Sequence, residues 1–176
     1  MTATAIPAAP PVAVPTADAS GQDIRPSIRR THLALFVKDP FATASWYEDI
    51  LGMQVTARGE RWVFLSFGRK HHDIALIRAE PGMDGTDPRG TVNMQHYGLE
   101  IDGDLDTLRR LYGMLLRKGV PVVKTTDHKV GYGLYFTDPD GHRFEFFLET
   151  VHDEEEGKRL LGQYNAPSDP FDLQPL

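Results

Sequence analysis

Residues 28–38 alternate well enough for a strand, with His32, Ala34 and Phe36 on one face. The period then lengthens. Asp39 and Pro40 supply an N-cap and a first helical residue. Phe41, Trp46, Tyr47, Ile50 and Leu51 form the apolar stripe of that helix, and Gly52 ends it. Trp46 and Tyr47 are expected to pack against a sheet. Further strands are predicted over 53–58, 61–67 and 72–79. From Glu80 to Val92, Pro81-Gly82, Asp84-Gly85 and Asp87-Pro88-Arg89-Gly90 predict a loop.

The same order then returns. A strand is predicted over 94–102 and a helix over 104–118, with Leu105, Leu108, Leu111, Tyr112, Leu115 and Leu116 at helical spacing and Gly119 at its end. Strands follow at 121–126, 132–137 and 142–149, so the chain reads βαβββ, linker, βαβββ. Neither half buries much surface alone. The expectation is therefore an α+β domain over 27–150, in which modules 28–80 and 93–150 pair their sheets. A short helix over 152–162 opens on Asp153-Glu154-Glu155-Glu156, where negative charge suits the helix dipole. It belongs to a C-terminal helix and tail, 151–176, whose Pro-containing end is expected along the surface. Residues 1–26 are rich in Ala, Pro and Thr, with no charge before Asp18, and read as a flexible extension. Pro7, Pro10, Pro11 and Pro15 interrupt the apolar run that a secretory signal needs.

Charge narrows the choice of partners. With 19 Lys and Arg against 25 Asp and Glu, the formal charge is −6, and no dense basic run is present. Nucleic acid and anionic membrane surfaces are poor partners for such a chain. No apolar run approaches the roughly 20 residues of a spanning helix, and the expected setting is the cytoplasm. There are 0 cysteines, which excludes disulfides, thiolate metal sites and cysteine nucleophiles. Metal chemistry must use His, Asp and Glu.

Each half opens on a strand histidine, His32-Leu33-Ala34-Leu35-Phe36-Val37 and His96-Tyr97-Gly98-Leu99-Glu100-Ile101. A third segment, Asp138-Pro139-Asp140-Gly141-His142-Arg143-Phe144-Glu145, places a carboxylate on a late strand. Two histidines and a glutamate from separate strands can hold a divalent metal and leave positions open for substrate and oxygen. A strand histidine by itself is more often packed or surface-lying than a ligand. Glu145 differs, because Phe144-Glu145-Phe146-Phe147 predicts burial, and a buried carboxylate needs a partner. Gly131 and Gly133 permit either a close approach or a tight hairpin.

The βαβββ duplication, the histidine opening each half, and Tyr135-Phe136-Thr137-Asp138-Pro139-Asp140-Gly141-His142-Arg143-Phe144-Glu145 together resemble the vicinal oxygen chelate superfamily over residues 28–150. The resemblance implies curled mixed sheets enclosing a metal at their mouth, with His32, His96 and Glu145 as ligands. The implied ion is iron(II), with manganese(II) as the alternative. Overlaying the halves sets His72-Asp73-Ile74-Ala75 on His142-Arg143-Phe144-Glu145, so Ala75 takes the position of Glu145. A glyoxalase-type site would draw on four equivalent positions. Three ligands leave room for a bidentate substrate and dioxygen. A two-residue slip would put Asp73 there instead.

His71-His72-Asp73 resembles the paired-histidine segment of type I extradiol catechol dioxygenases, which implies an acid–base role for His72. Tyr135, 10 positions before Glu145, matches the active-site tyrosine of that group. His128 matches a histidine ahead of the same strand, although its spacing to Tyr135 is shorter than in two-domain members. The implied activity is iron(II)-dependent ring cleavage of a small aromatic diol by O2, in a homodimer. Phe36, Phe64, Phe67 and Phe147 are available to line an aromatic pocket. Three alternatives stand: a metal-dependent thiol transferase of the fosfomycin-resistance type, whose closing segment resembles Asp140-Gly141-His142-Arg143; a glyoxalase-like lyase or isomerase; and a non-catalytic small-molecule binding protein. Whether the modules close within one chain or swap between chains is also open.

Overall fold

Leu33, Leu35 and Val37 turn inward along β1 (Leu33–Val37), leaving Ala34 and Phe36 exposed on the opposite face. The computed structural model of the chain describes residues 31–81 and 94–176. The extension expected before Ser27 and most of the 80–92 loop lie outside these residues. After β1 comes α1 (Pro40–Leu51), where Asp39 Oδ1 accepts from the Phe41 N–H at 3.0 Å. Gly52 ends the helix at φ +65°, a left-handed backbone that glycine adopts without steric cost. Then follow β2 (Gln54–Arg58), β3 (Trp62–Ser66) and β4 (Ile74–Arg78). The sheet order is β1-β4-β3-β2, with β1 parallel to β4 and the other pairs antiparallel.

The second module repeats this arrangement. It contains β5 (Tyr97–Glu100), α2 (Leu105–Arg117), β6 (Val122–Asp127), β7 (Gly131–Thr137) and β8 (Arg143–Glu149). β5 lies parallel to β8, and β7 lies antiparallel between β8 and β6. A capping box of Asp104 and Thr107 starts α2. β1 and β5 are shorter than the sequence predicts, because each has a single neighbour, and the ladder runs only where that neighbour supplies partners. The tail also departs from expectation. After α3 (Glu154–Gln163), β9 (Asp169–Pro170) pairs with β6 and Leu173 is buried. That strand covers part of an edge which β6 would otherwise expose.

One core joins the two modules. Val37, Tyr47, Leu65 and Leu76 share it with Leu108, Leu115, Phe136 and Phe144. Tyr47 meets Phe144 edge-on at 5.6 Å, and Trp46 lies 6.5 Å from Phe136. Side chains this fully buried each contribute about 1.5–3 kcal/mol. Polar contacts then clasp the β7–β8 turn to the first module. The Tyr47 phenol donates to Asp138 Oδ2 at 2.8 Å, and burial together with that carboxylate pushes its pKa far up, so it stays a donor. Asp140 accepts from the Lys38 N–H at 3.0 Å and from Thr43 Oγ1 at 2.8 Å.

His142 Nδ1 lies 2.8 Å from Asp138 Oδ2, and the Phe36 carbonyl also hydrogen-bonds this imidazole. Burial pulls the His142 pKa down, but the hydrogen bond and charge of Asp138, helped by Asp140 and Phe36, raise it overall. The bound proton therefore stabilises the fold fully below the ordinary imidazole value of ~6.5. That contribution disappears as pH rises through the raised folded value. His142→Gln keeps a donor for Asp138 without a titrating group. The gap in thermal midpoint between parent and variant is expected to be widest in mild acid and to narrow toward alkaline pH. A gap that widens with pH would contradict this account.

Candidate metal centre

Cross-strand pairing sets Gly98, Glu145, Tyr135 and Lys124 in one row across the second sheet. His96, just before β5, brings Nε2 to 3.0 Å from Glu145 Oε2. Its Nδ1 contacts the Gln95 side-chain oxygen, which holds the ring in that orientation. Glu145 is buried, and its Oε1 has no hydrogen-bond partner; the nearest imidazole nitrogen, His128 Nε2, is 3.4 Å away. A buried carboxylate oxygen left this way is costly in a metal-free protein and becomes an asset when a cation sits against it. Imidazole nitrogen and carboxylate oxygen suit a divalent first-row ion. The donors present therefore fit a metal.

Tyr135 and His128 complete the cluster. Burial, followed by hydrogen bonding to and the charge of Glu145, raises the Tyr135 pKa, so the phenol stays protonated. Its hydroxyl is 3.1 Å from His128 Nε2, which also lies 2.8 Å from Thr126 Oγ1. Lys124 Nζ stands 4.6 Å from the centre of the Tyr135 ring. Gly133 makes room for the carboxylate: a Cβ there would lie 2.3 Å from Glu145 Oε1, 2.7 Å from Thr126 Oγ1 and 2.8 Å from the edge of the Tyr135 ring. The first two atoms end side chains that can swing away, and the ring is met at its edge. Gly133→Ala is therefore expected to fold, to displace Glu145, and to weaken metal binding by about 10–100-fold, as outer-shell changes do. Titration with a divalent ion checks this, and parent-like affinity would show that Gly133 does not set the carboxylate.

The remaining candidates lie on the first sheet. His32 and His72 meet edge-on at 5.0 Å, and His72 lies 4.7 Å from Phe64 at 30°. His71 Nδ1 is 2.6 Å from His72 Nδ1. Ala75 pairs with Ala34 and Phe64 as Glu145 pairs with Gly98 and Tyr135, so the register equates residue 75 with residue 145. Among the described residues no three His, Asp or Glu side chains are grouped so as to hold a metal ion. The structure thus brings His96, Glu145, Tyr135 and His128 together, and His32 with His72, but does not join the two sets in one chain. Sequence reasoning missed Thr126, Lys124 and the tail beside His128. Only the glycine alternation at 131 and 133 hinted at a tight spot.

A family model described as the Glyoxalase/Bleomycin resistance protein/Dioxygenase superfamily matches residues 29–146. The chain belongs to this superfamily. Within it, the chain is 30% identical over 130 residues to biphenyl-2,3-diol 1,2-dioxygenase 2 of Rhodococcus globerulus, covering 74% of this chain and 67% of that protein. It is 23% identical to metallothiol transferase FosB of Lysinibacillus sphaericus, covering 69% of this chain and 83% of that protein. Among solved structures, the fosfomycin resistance protein FosX of Listeria monocytogenes, complexed with Mn(II) and sulfate, shares the fold. Its TM-score is 0.57 at 20% identity, covering 78% of this chain and 99% of that one. The two mixed sheets of this superfamily member match that fold. No helix among its described residues is long and apolar enough to cross a membrane.

Proposed function

We propose that the protein is an iron(II)-dependent extradiol dioxygenase that opens a catechol-like ring, working as a homodimer. The observation that carries this reading is the gathering of a protonated tyrosine and a histidine beside a buried, under-bonded glutamate on one sheet face. The similarity to biphenyl-2,3-diol dioxygenases supports it. Each metal site would combine His96 and Glu145 of one chain with the partner subunit's His32. Two features support that sharing. The two sets are not joined within one chain, and the face carrying His32 leaves Phe36 60% exposed, an apolar surface that a second copy would cover.

Bound iron(II) would supply chelation of both diol oxygens and the redox capacity to engage dioxygen. The residues of this chain do the rest. The Tyr135 hydroxyl, held protonated, donates a hydrogen bond to a diol oxygen placed against Glu145. His128 Nε2, 3.1 Å from that hydroxyl, takes or returns a proton through it. The partner subunit's His72, packed beside His32, supplies a second acid–base group on the opposite wall. Phe64, beside His72, and Phe147, beside His128, would line the walls around an aromatic guest.

Similarity to FosB proteins favours a second reading, metal-dependent thiol addition to a small epoxide. Anaerobic loading with iron(II), followed by a catechol panel in air, is expected to give yellow ring-fission product. Colourless mixtures with iron, together with thiol adduct formation from fosfomycin, would replace the first reading by the second.

A further inference from the structure

The chain beyond α3 lies outside residues 29–146, which the family model matches, yet it reaches the site. His128 Nδ1 is 2.7 Å from the Pro167 carbonyl oxygen. A carbonyl only accepts, so Nδ1 must carry the proton, and in the neutral ring Nε2 is left as the acceptor. Nε2 lies 2.8 Å from Thr126 Oγ1, a hydroxyl that can donate to it, 3.1 Å from the Tyr135 hydroxyl oxygen and 3.4 Å from Glu145 Oε1. The next tail residue holds the other flank of Tyr135: Lys124 Nζ, which sits over that ring, donates to Ser168 Oγ at 3.0 Å.

The tail is built to stay in place. Asn165 and Ala166 adopt φ of +56° and +46°, a left-handed backbone that alanine rarely takes unless its surroundings impose it. Those two residues set the direction from which Pro167 presents its carbonyl. Downstream, Pro170 and Asp169 pair with Thr126 and Asp127, and the Phe171 ring stacks on Tyr132 at 4.4 Å. The Phe171 N–H donates to the Thr125 carbonyl at 3.2 Å, the Thr125 hydroxyl donates to the Phe171 carbonyl, and Leu173 is buried in the core.

We infer that residues 165–171 form a positioning strap: the Pro167 carbonyl selects the Nδ1–H form of His128 and so turns its Nε2 lone pair toward Tyr135 and the metal face. Pro167 acts through His128 and touches no substrate. Its catalytic consequence rests on the role proposed above for His128, whereas the tautomer itself does not.

The test uses the full chain, metal-free and labelled with 15N-histidine, at a pH where imidazoles are neutral. Long-range 1H–15N spectra of the parent are expected to show His128 with its proton on Nδ1. Phe171→Ala combined with Thr125→Val loosens the strap, read as faster exchange of the residue 171 amide. His128 should then move toward the Nε2–H form that free imidazole side chains prefer. A parent His128 protonated on Nε2, or an Nδ1–H form that persists once the strap amide exchanges freely, overturns the inference. If catechols are substrates, the same variant loses roughly tenfold in kcat with little change in KM. A parent that turns over no catechol sinks the dioxygenase reading and leaves the tautomer result standing.

Discussion

Glu145→Ala is expected to bind no metal after anaerobic loading with iron(II), while the parent takes up one ion per chain. The site would keep the imidazoles of His96 and the partner subunit's His32 but lose its one anionic ligand, and neutral imidazoles alone hold a divalent ion too weakly against buffer. The physical cause is the environment of the carboxylate. Its Oε1 is buried without a hydrogen bond, and the glycines at 98 and 133 leave its oxygens clear of side-chain bulk. Function here opposes stability. Glu145→Gln keeps the shape and removes the charge, so at about pH 8 the metal-free variant should be more stable than the metal-free parent by about 1–3 kcal/mol. Elemental analysis and urea unfolding measure the two effects. Full metal content in Glu145→Ala, or a metal-free Glu145→Gln less stable than the parent, would remove Glu145 from the site.

Mixing two inactive variants should restore activity. His32→Ala and Glu145→Ala are each expected to be dead as pure dimers, because every shared site then lacks one ligand. In a mixed dimer both lesions fall in the same site. The other site joins the intact His32 of one chain to the intact His96 and Glu145 of its partner. Random reassortment makes half the dimers mixed, with one good site in two, so about a quarter of parent activity should return. Unfolding and refolding the two variants together, then assaying ring cleavage and metal content, gives the answer. Zero recovery, with reassortment confirmed by mass-tagged chains, would mean that sites close within one chain and that the described separation of His32 from Glu145 is not bridged by a partner.

The duplication was legible because its signals are local. Asp39-Pro40 and Gly52 mark the ends of α1 by caps acting over one turn, and the short apolar runs around 33–37 and 144–148 announce strands. Glu145 stood out for a similar reason, as a charge inside an apolar run. The equivalence of Ala75 with Glu145, read from the repeat, reappears in strand register, because both modules pair first strand to last strand in parallel.

Other features have no local trace. His128 meets Pro167 from 39 positions away, and Tyr47 meets Asp138 from 91. Neither pair has a period or motif linking its members; each exists because β9 docks on β6 and α1 packs under the β7–β8 turn. Local signals were enough for the elements, their repetition and the residue types able to hold a metal, since backbone propensity and side-chain chemistry act over a few positions. Tertiary structure alone decided which histidines stand beside Glu145 and which stand on another sheet, because that depends on how two similar modules share one core and leave their site-bearing faces apart.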